Sequence, residues 1–297
     1  MTSTGTSVTL TDLLRPHAER AEGDLRRWLI ESGTPDALAA AMRYAALGGG
    51  KRLRPALTFL AAEAVGGEGG EPLRAAAVAV ELVHTYSLVH DDLPAMDDDA
   101  LRRGRPTVHV QYGQAMGVLV GDALLTRAFG LLAERGGPAA GPLAAELAAG
   151  AGPAGMIAGQ VADMDLCPLP PGPAGVRYIH RRKTAALLAA AVRMGGLCAG
   201  AGAEALRALG GYGIALGLAF QLVDDLLVVT GDAAALGKAT GKDAQAGKRT
   251  AVSPDQADAA RRRAAELTDR AVRLLQPLGE SAAPLALLAR ALCDRSH

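Results

Sequence analysis

Apolar residues in this chain come in long runs that are interrupted by Gly, Pro or tight groups of charge, and the two-residue alternation of half-buried strands is not sustained. Such runs behind helix-start signals predict helices. Thr34-Pro35-Asp36 reads as an N-cap, a proline at the first helical position and an acidic first turn, opening a helix through Ala46 that Gly48-Gly49-Gly50 ends. Pro55 opens the next, which stops at Gly66-Gly67-Glu68-Gly69-Gly70. Residues 72 to about 93 and 117–135 form long apolar helices, and another apolar run, 214–223, is closed by Asp224-Asp225. Ser253-Pro254-Asp255-Gln256 combines a capping Ser, a proline and a capping-box Gln ahead of a helix over 257–275. The breaks at Gly136-Gly137-Pro138 and Leu169-Pro170-Pro171-Gly172-Pro173 are too short for flexible linkers, and there is no internal repeat. The pattern predicts an all-α protein in which residues 1–297 form one domain, a single large helical bundle.

Composition sharpens this picture. Hydrophobic residues make up 49% and aromatics only 3%, so the core is aliphatic, and an Ala-rich chain favours closely packed helices. Lys plus Arg balances Asp plus Glu at 31 each, which argues against a nucleic-acid partner or attachment to a membrane surface by bulk charge. Cys167, Cys198 and Cys293 are far apart and odd in number, as in a reducing compartment. No signal-peptide pattern opens the chain, and Gly, Asp or Arg breaks each apolar run short of a membrane span. A cytoplasmic protein without stable membrane insertion is expected.

Local charge carries the chemistry. His90-Asp91-Asp92-Leu93-Pro94-Ala95-Met96-Asp97-Asp98-Asp99 is followed at once by Leu101-Arg102-Arg103-Gly104, placing five carboxylates and two guanidiniums within fifteen residues. Clustered carboxylates repel one another and resist desolvation, so the arrangement suits hard divalent cations between them, with Arg matched to phosphate oxygens. A second acidic pair, Asp224-Asp225, follows Gln221-Leu222-Val223, with Lys238, Lys242, Lys248 and Arg249 downstream. Two helices that each end in an Asp pair, facing one another, would hold metal at the mouth of a pocket with a hydrocarbon floor. Helical spacing puts His84 and Asp91 on one face about 10 Å apart, and Gln221 with Asp224 on another.

These segments resemble the two aspartate-rich motifs of the trans-prenyltransferases, the polyprenyl synthetase family. Five further stretches stand in that family's order: Gly48-Gly49-Gly50-Lys51-Arg52-Leu53-Arg54-Pro55, Gly121-Asp122-Ala123-Leu124-Leu125, Gly159-Gln160, Lys183-Thr184 and Gly241-Lys242-Asp243 on to Lys248. The resemblance implies an isoprenoid-synthase bundle around a central apolar pocket. It implies that Asp91, Asp97 and Asp224 ligate Mg²⁺, about three ions, with Mn²⁺ able to substitute. Arg102, Lys183, Thr184, Gln221, Lys238 and Lys248 would hold the allylic diphosphate; Lys51, Arg54, His84 and Arg103 would hold isopentenyl diphosphate. Asp91, Asp97, Arg102, Lys183 and Asp224 would carry catalysis. The implied reaction is head-to-tail condensation of the two by a homodimer, through ionisation of the allylic carbon–oxygen bond without a protein nucleophile.

Tyr86, five residues before Asp91, with Ser87 beside it, and the extra Pro94-Ala95, is similar to the pattern of bacterial farnesyl diphosphate synthases within the family, which implies a C15 product. Two departures leave alternatives open. The family's second motif carries a further Asp four residues after its first, where this chain has Val228, and the segment after Lys248 is shorter. A geranylgeranyl, cyclised or irregular product, or a catalytically silent partner subunit, therefore stands beside the farnesyl reading.

Overall fold

The computed structural model describes residues 10–230 and 256–294. Among them run α1 (Leu10–Trp28), α2 (Asp36–Ala46), α3 (Leu53–Ala64), α4 (Glu71–Asp91), α5 (Val108–Tyr112), α6 (Gln114–Arg135), α7 (Ala140–Ala151), α8 (Met156–Asp163), α9 (Pro173–Ile179), α10 (Ala186–Cys198), α11 (Ala203–Thr230), α12 (Ala257–Leu274) and α13 (Ala283–Cys293). A π-helical turn, His180–Ala185, carries α9 straight into α10. The helical expectation holds with one small addition, a ribbon in which Leu101–Arg102 (β1) pairs antiparallel with Arg105–Pro106 (β2). Arg103 and Gly104 link these strands with φ of 53° and 74°, the left-handed pair that a two-residue hairpin requires.

α4 lies at the centre and is buried almost all round from Leu73 to Val83, which is why its sequence shows no polar stripe. It packs on α6 and α3, while α10 packs on α3, α7 and α11, and α11 lies along α12. One apolar cluster joins α2, α4, α6 and α7; a second joins α3, α10, α11 and α13. Each fully buried leucine in them, such as Leu82, Leu124 or Leu285, contributes about 1.5–3 kcal/mol. Small residues set the spacing on the second side: a Cβ at Gly217 would run into Ala185 of the π turn, so glycine there draws α11 onto it.

Three expectations need correction. α3 begins two residues before Pro55, because Arg52 just ahead takes a left-handed φ of 48° and its side chain is tied into the interior. α11 does not end at its acidic pair: Leu226 and Leu227 are buried, so the helix continues through Asp224-Asp225 to Thr230. α6 and most of α11 are, by length and composition, long and apolar enough to cross a membrane, and about half of each apolar stretch is buried in the bundle.

Candidate active site

Pro94 cannot continue α4, and the chain turns back on itself there. Met96 and Asp98 donate their N–H groups to the Leu93 carbonyl at 2.8 and 3.1 Å, and Asp97 donates to the carbonyl of Asp91 at 2.8 Å. The turn folds Asp97 onto the last residue of the helix, which gives the long spacing of this motif its purpose. Burial pushes the Asp91 carboxyl up to about 6, with Lys183 and Arg102 pulling it down and the Asp97 charge adding to the rise. Asp92 has a separate role. Its buried carboxylate accepts Arg102 Nε at 2.8 and 2.9 Å, and Asp99 lies 3.9 Å from the same guanidinium. The ribbon thus delivers Arg102 to the end of α4, held by Asp92.

Beside it lies a basic group. Arg52 donates to Glu81 at 2.8 Å, to Glu22 at 2.6 Å and to the Ala46 carbonyl at 2.7 Å, fastening the Gly48–Pro55 segment to α4 and α1. Arg54, two residues on, is half-buried, with its enclosed Nε unpartnered; desolvation brings its pKa down to about 10, with Glu81 pulling up and Arg103 adding repulsion. His84 is kept neutral, well below the usual histidine range, by burial and by the charges of Arg54, Arg103, Arg102 and Arg52. Arg103 donates to the Gly49 carbonyl, and burial lowers its pKa as well. The structure therefore brings Arg54, His84 and Arg103 within one another's fields, with Lys51 at the exposed start of the same segment. The half-buried Arg54 and the exposed Arg103 repel each other beside neutral His84, an arrangement that an anion relieves.

The third wall is the π turn. Gly159 of α8 lies against it so closely that a Cβ would overlap the Lys183 backbone, which accounts for the Gly159-Gln160 pair. Lys183 Nζ reaches Asp163 at 2.6 Å, and its charge is also felt at Asp91. Thr184 Oγ1 donates to Gln221 Oε1 at 3.1 Å, and Gln221 Nε2 donates to Asp224 at 3.1 Å, so the turn orients the acidic pair of α11. His180 Nε2 stands 3.4 Å from Asp225, and burial holds the imidazole down to about 4 although Asp163 favours its charge. Local widening of a helix at a functional position is a recurrent use of the π turn.

Tyr86 is buried in α4, edge-on to His90, while Ser87 donates to the carbonyl of His84 at 2.9 Å in its own helix. Lys238 and Lys248, with Lys242, Arg249 and the shortened stretch after Lys248, lie outside the described residues. Among the described residues Asp91, Asp97 and Asp224 do not converge as a preformed cluster of three metal ligands. Asp163 and His180 escaped the sequence reading, while Asp92 and Gln160 stood in its motifs without an assigned role; the buried amide of Gln160 has neither end hydrogen-bonded. Only Asp163 carried a usable signal, lying three residues past Gln160 on the same helical face.

A family model described as polyprenyl synthetase matches residues 35–274. The chain belongs to the polyprenyl synthetase family. It is 46% identical over 263 residues to a farnesyl diphosphate synthase of Escherichia coli (strain K12), covering 85% of this chain and 86% of that protein. Among solved structures it is similar to a geranyltransferase from Legionella pneumophila (TM-score 0.83, 31% identity, 97% of each chain). An FPP/GFPP synthase from Zymomonas mobilis gives a TM-score of 0.81 at 33% identity, covering 95% of this chain and 99% of that one. The chain is accordingly a trans-prenyltransferase with the isoprenoid-synthase all-α fold, in a family that in general depends on Mg²⁺.

Proposed function

We propose that the protein condenses isopentenyl diphosphate head-to-tail with allylic diphosphates and releases farnesyl diphosphate. One observation carries this reading: at the end of α4 a carboxylate pair, Asp91 and Asp97, meets Lys183 on one side while the basic group Arg54, His84 and Arg103 gathers beside the same helix. Two anions are accommodated in different ways, one with metal and one without.

Asp91, Asp97 and Asp224 would hold Mg²⁺. Their donors are all hard carboxylate oxygens, and the repulsion that Asp97 exerts on Asp91 is what a divalent cation relieves, so the residues fit the ion. Ligands on separate elements suit Mg²⁺, which takes one or two carboxylates and leaves its other positions to water and phosphate. When bound, about three ions, with Mn²⁺ a substitute, would neutralise the departing diphosphate. Lys183, Thr184, Gln221 and Arg102, joined by Lys238 and Lys248, hold that diphosphate, so the allylic carbon–oxygen bond breaks with its electron pair on oxygen. Lys51, Arg54, Arg103 and neutral His84 hold isopentenyl diphosphate with its double bond toward the cation. The double bond forms the new carbon–carbon bond, and the proton it releases goes to the free diphosphate. The apolar walls keep water from the cation.

Tyr86 below the motif sets a C15 limit, with Ser87 beside it. A geranylgeranyl, cyclised or irregular product is the second reading, favoured by Val228, a 39% exposed apolar residue one turn beyond Asp224. A silent partner subunit is disfavoured because both basic groups and both acidic pairs are retained. The protein works in the cytoplasm as a homodimer; the exposed Val118 and Leu119 of the apolar helix α6 suit burial against a second copy. Incubation of the purified protein with isopentenyl diphosphate, C5, C10 or C15 allylic diphosphates and Mg²⁺ should give the C15 product. If the folded protein consumes no allylic substrate with Mg²⁺ or Mn²⁺, the partner-subunit reading replaces this one.

A further inference from the structure

We infer that His90 and Gly121 set product length by positioning Tyr86, an inference that rests on the elongation reading above. A tyrosine turns about two side-chain bonds, and a growing hydrocarbon can push such a ring aside unless another group holds it. The holding group is His90, one turn nearer Asp91 on α4. Its ring meets Tyr86 edge to face, with centroids 5.8 Å apart and planes at 81°. Its Nε2 lies 3.0 Å from the carbonyl of Val118 in α6, which fixes the tautomer with the proton on Nε2 as donor.

Gly121 makes this contact possible. A Cβ at that position would overlap the imidazole at Nε2 and Cδ2, so only glycine lets the ring lie against α6. Gly121 brings no side chain to the diphosphate machinery, and its contribution is space. α4 is thereby tied to α6 at the level of the floor, and the Tyr86 ring, itself buried, loses the freedom to retreat. His90 is a positioning residue: it acts on the growing chain through Tyr86.

The test is elongation by the full chain, with geranyl or farnesyl diphosphate as primer, isopentenyl diphosphate and Mg²⁺, the products being separated by length. Wild type is compared with His90→Ala, Gly121→Ala, Tyr86→Ala and the double variant Tyr86→Ala/His90→Ala. His90→Ala should raise the C20 to C15 ratio about three- to tenfold, the scale of one ring contact, without moving the Mg²⁺ requirement. Gly121→Ala should shift the ratio in the same direction. With Tyr86 already truncated, His90→Ala should add less than about twofold, because the group it acts through is gone. An unchanged ratio in His90→Ala at retained turnover overturns the inference, and so does an equal shift in both backgrounds. A shift accompanied by a changed Mg²⁺ requirement also overturns it, since His90 would then act through adjacent Asp91. Should Gly121→Ala fail to fold, His90→Ala and the double variant decide. A wild-type chain that elongates neither primer overturns the parent reading, and this inference falls with it before any variant is compared.

Discussion

His180 shows how much a single buried side chain can impose on this protein. Burial holds its pKa down to about 4 from the ordinary 6.5, so between those values the unfolded chain binds a proton that the folded chain refuses. The stability tied to this group is fully present above about pH 6.5 and is lost as pH falls toward 4, on the order of 3 kcal/mol in all. Urea midpoints followed from pH 7 to 4.5 should therefore fall further for wild type than for His180→Gln. Parallel curves would show that Asp225 already keeps the ring charged. A second residue-scale test concerns Lys183, whose ammonium is positioned by Asp163 at 2.6 Å. Asp163→Asn should raise the KM for the allylic substrate about tenfold, the scale of a charge-assisted hydrogen bond, and leave that for isopentenyl diphosphate unmoved. Equal effects on both would mean that Asp163 holds the fold rather than Lys183. Lys183, Thr184, Gln221 and Asp224 were legible as motif letters, and the structure joins them in two adjoining networks. His180 was not legible, because a histidine on a helix gives no sign of a partner as distant in sequence as Asp225, and Asp92, though visible in the acidic cluster, carried no sign that it would hold Arg102 rather than metal.

At the scale of elements, the long helices could be read from apolar runs, since α4 and α6 are bounded by Pro72 and Gly136 and their buried positions are mostly aliphatic. Their ends were less legible. An acidic pair looks like a helix terminus in a sequence, yet α11 runs past Asp224-Asp225 because Leu226 and Leu227 bury beyond it. The ribbon after α4 was invisible because its turn is Arg-Gly rather than a strong hairpin pair, and the π turn has no compositional mark. That turn needs the bare backbone of Gly159 against it. Gly159→Ala should force α8 away from Lys183, destabilise the protein by about 1–3 kcal/mol through overpacking and lower kcat/KM for the allylic substrate more than the stability loss explains. Thermal melts with kinetics well below the transition would check this, and wild-type kinetics in a destabilised variant would remove the π turn from the catalytic account.

Across the whole molecule, the acidic pairs belong to helices in different apolar clusters, α4 in one and α11 in the other. A metal-bound diphosphate held by Asp91, Asp97 and Asp224 would link those two helices, so occupancy should register as stability of the entire fold. At about 100-fold excess over its dissociation constant a ligand specific to the folded state adds about 2.7 kcal/mol, several degrees in melting temperature for a chain of this size. Mg²⁺ with inorganic diphosphate should produce that rise, and the Mg²⁺ concentration at its midpoint measures metal affinity without any turnover. Val228 enters here, exposed and one helical turn beyond Asp224 on the same face. Val228→Asp would set a second carboxylate beside the proposed ligand, where it can act through water and orientation; such contacts change metal affinity roughly 10- to 100-fold. The midpoint should move to lower Mg²⁺ by up to that factor, whereas Asp224→Ala should raise it far more than the reverse change. A midpoint left in place by Val228→Asp, or moved upward, would mean that Val228 lines a reshaped pocket rather than marking a missing metal contact. The irregular-product reading would then account for this chain better than the farnesyl one.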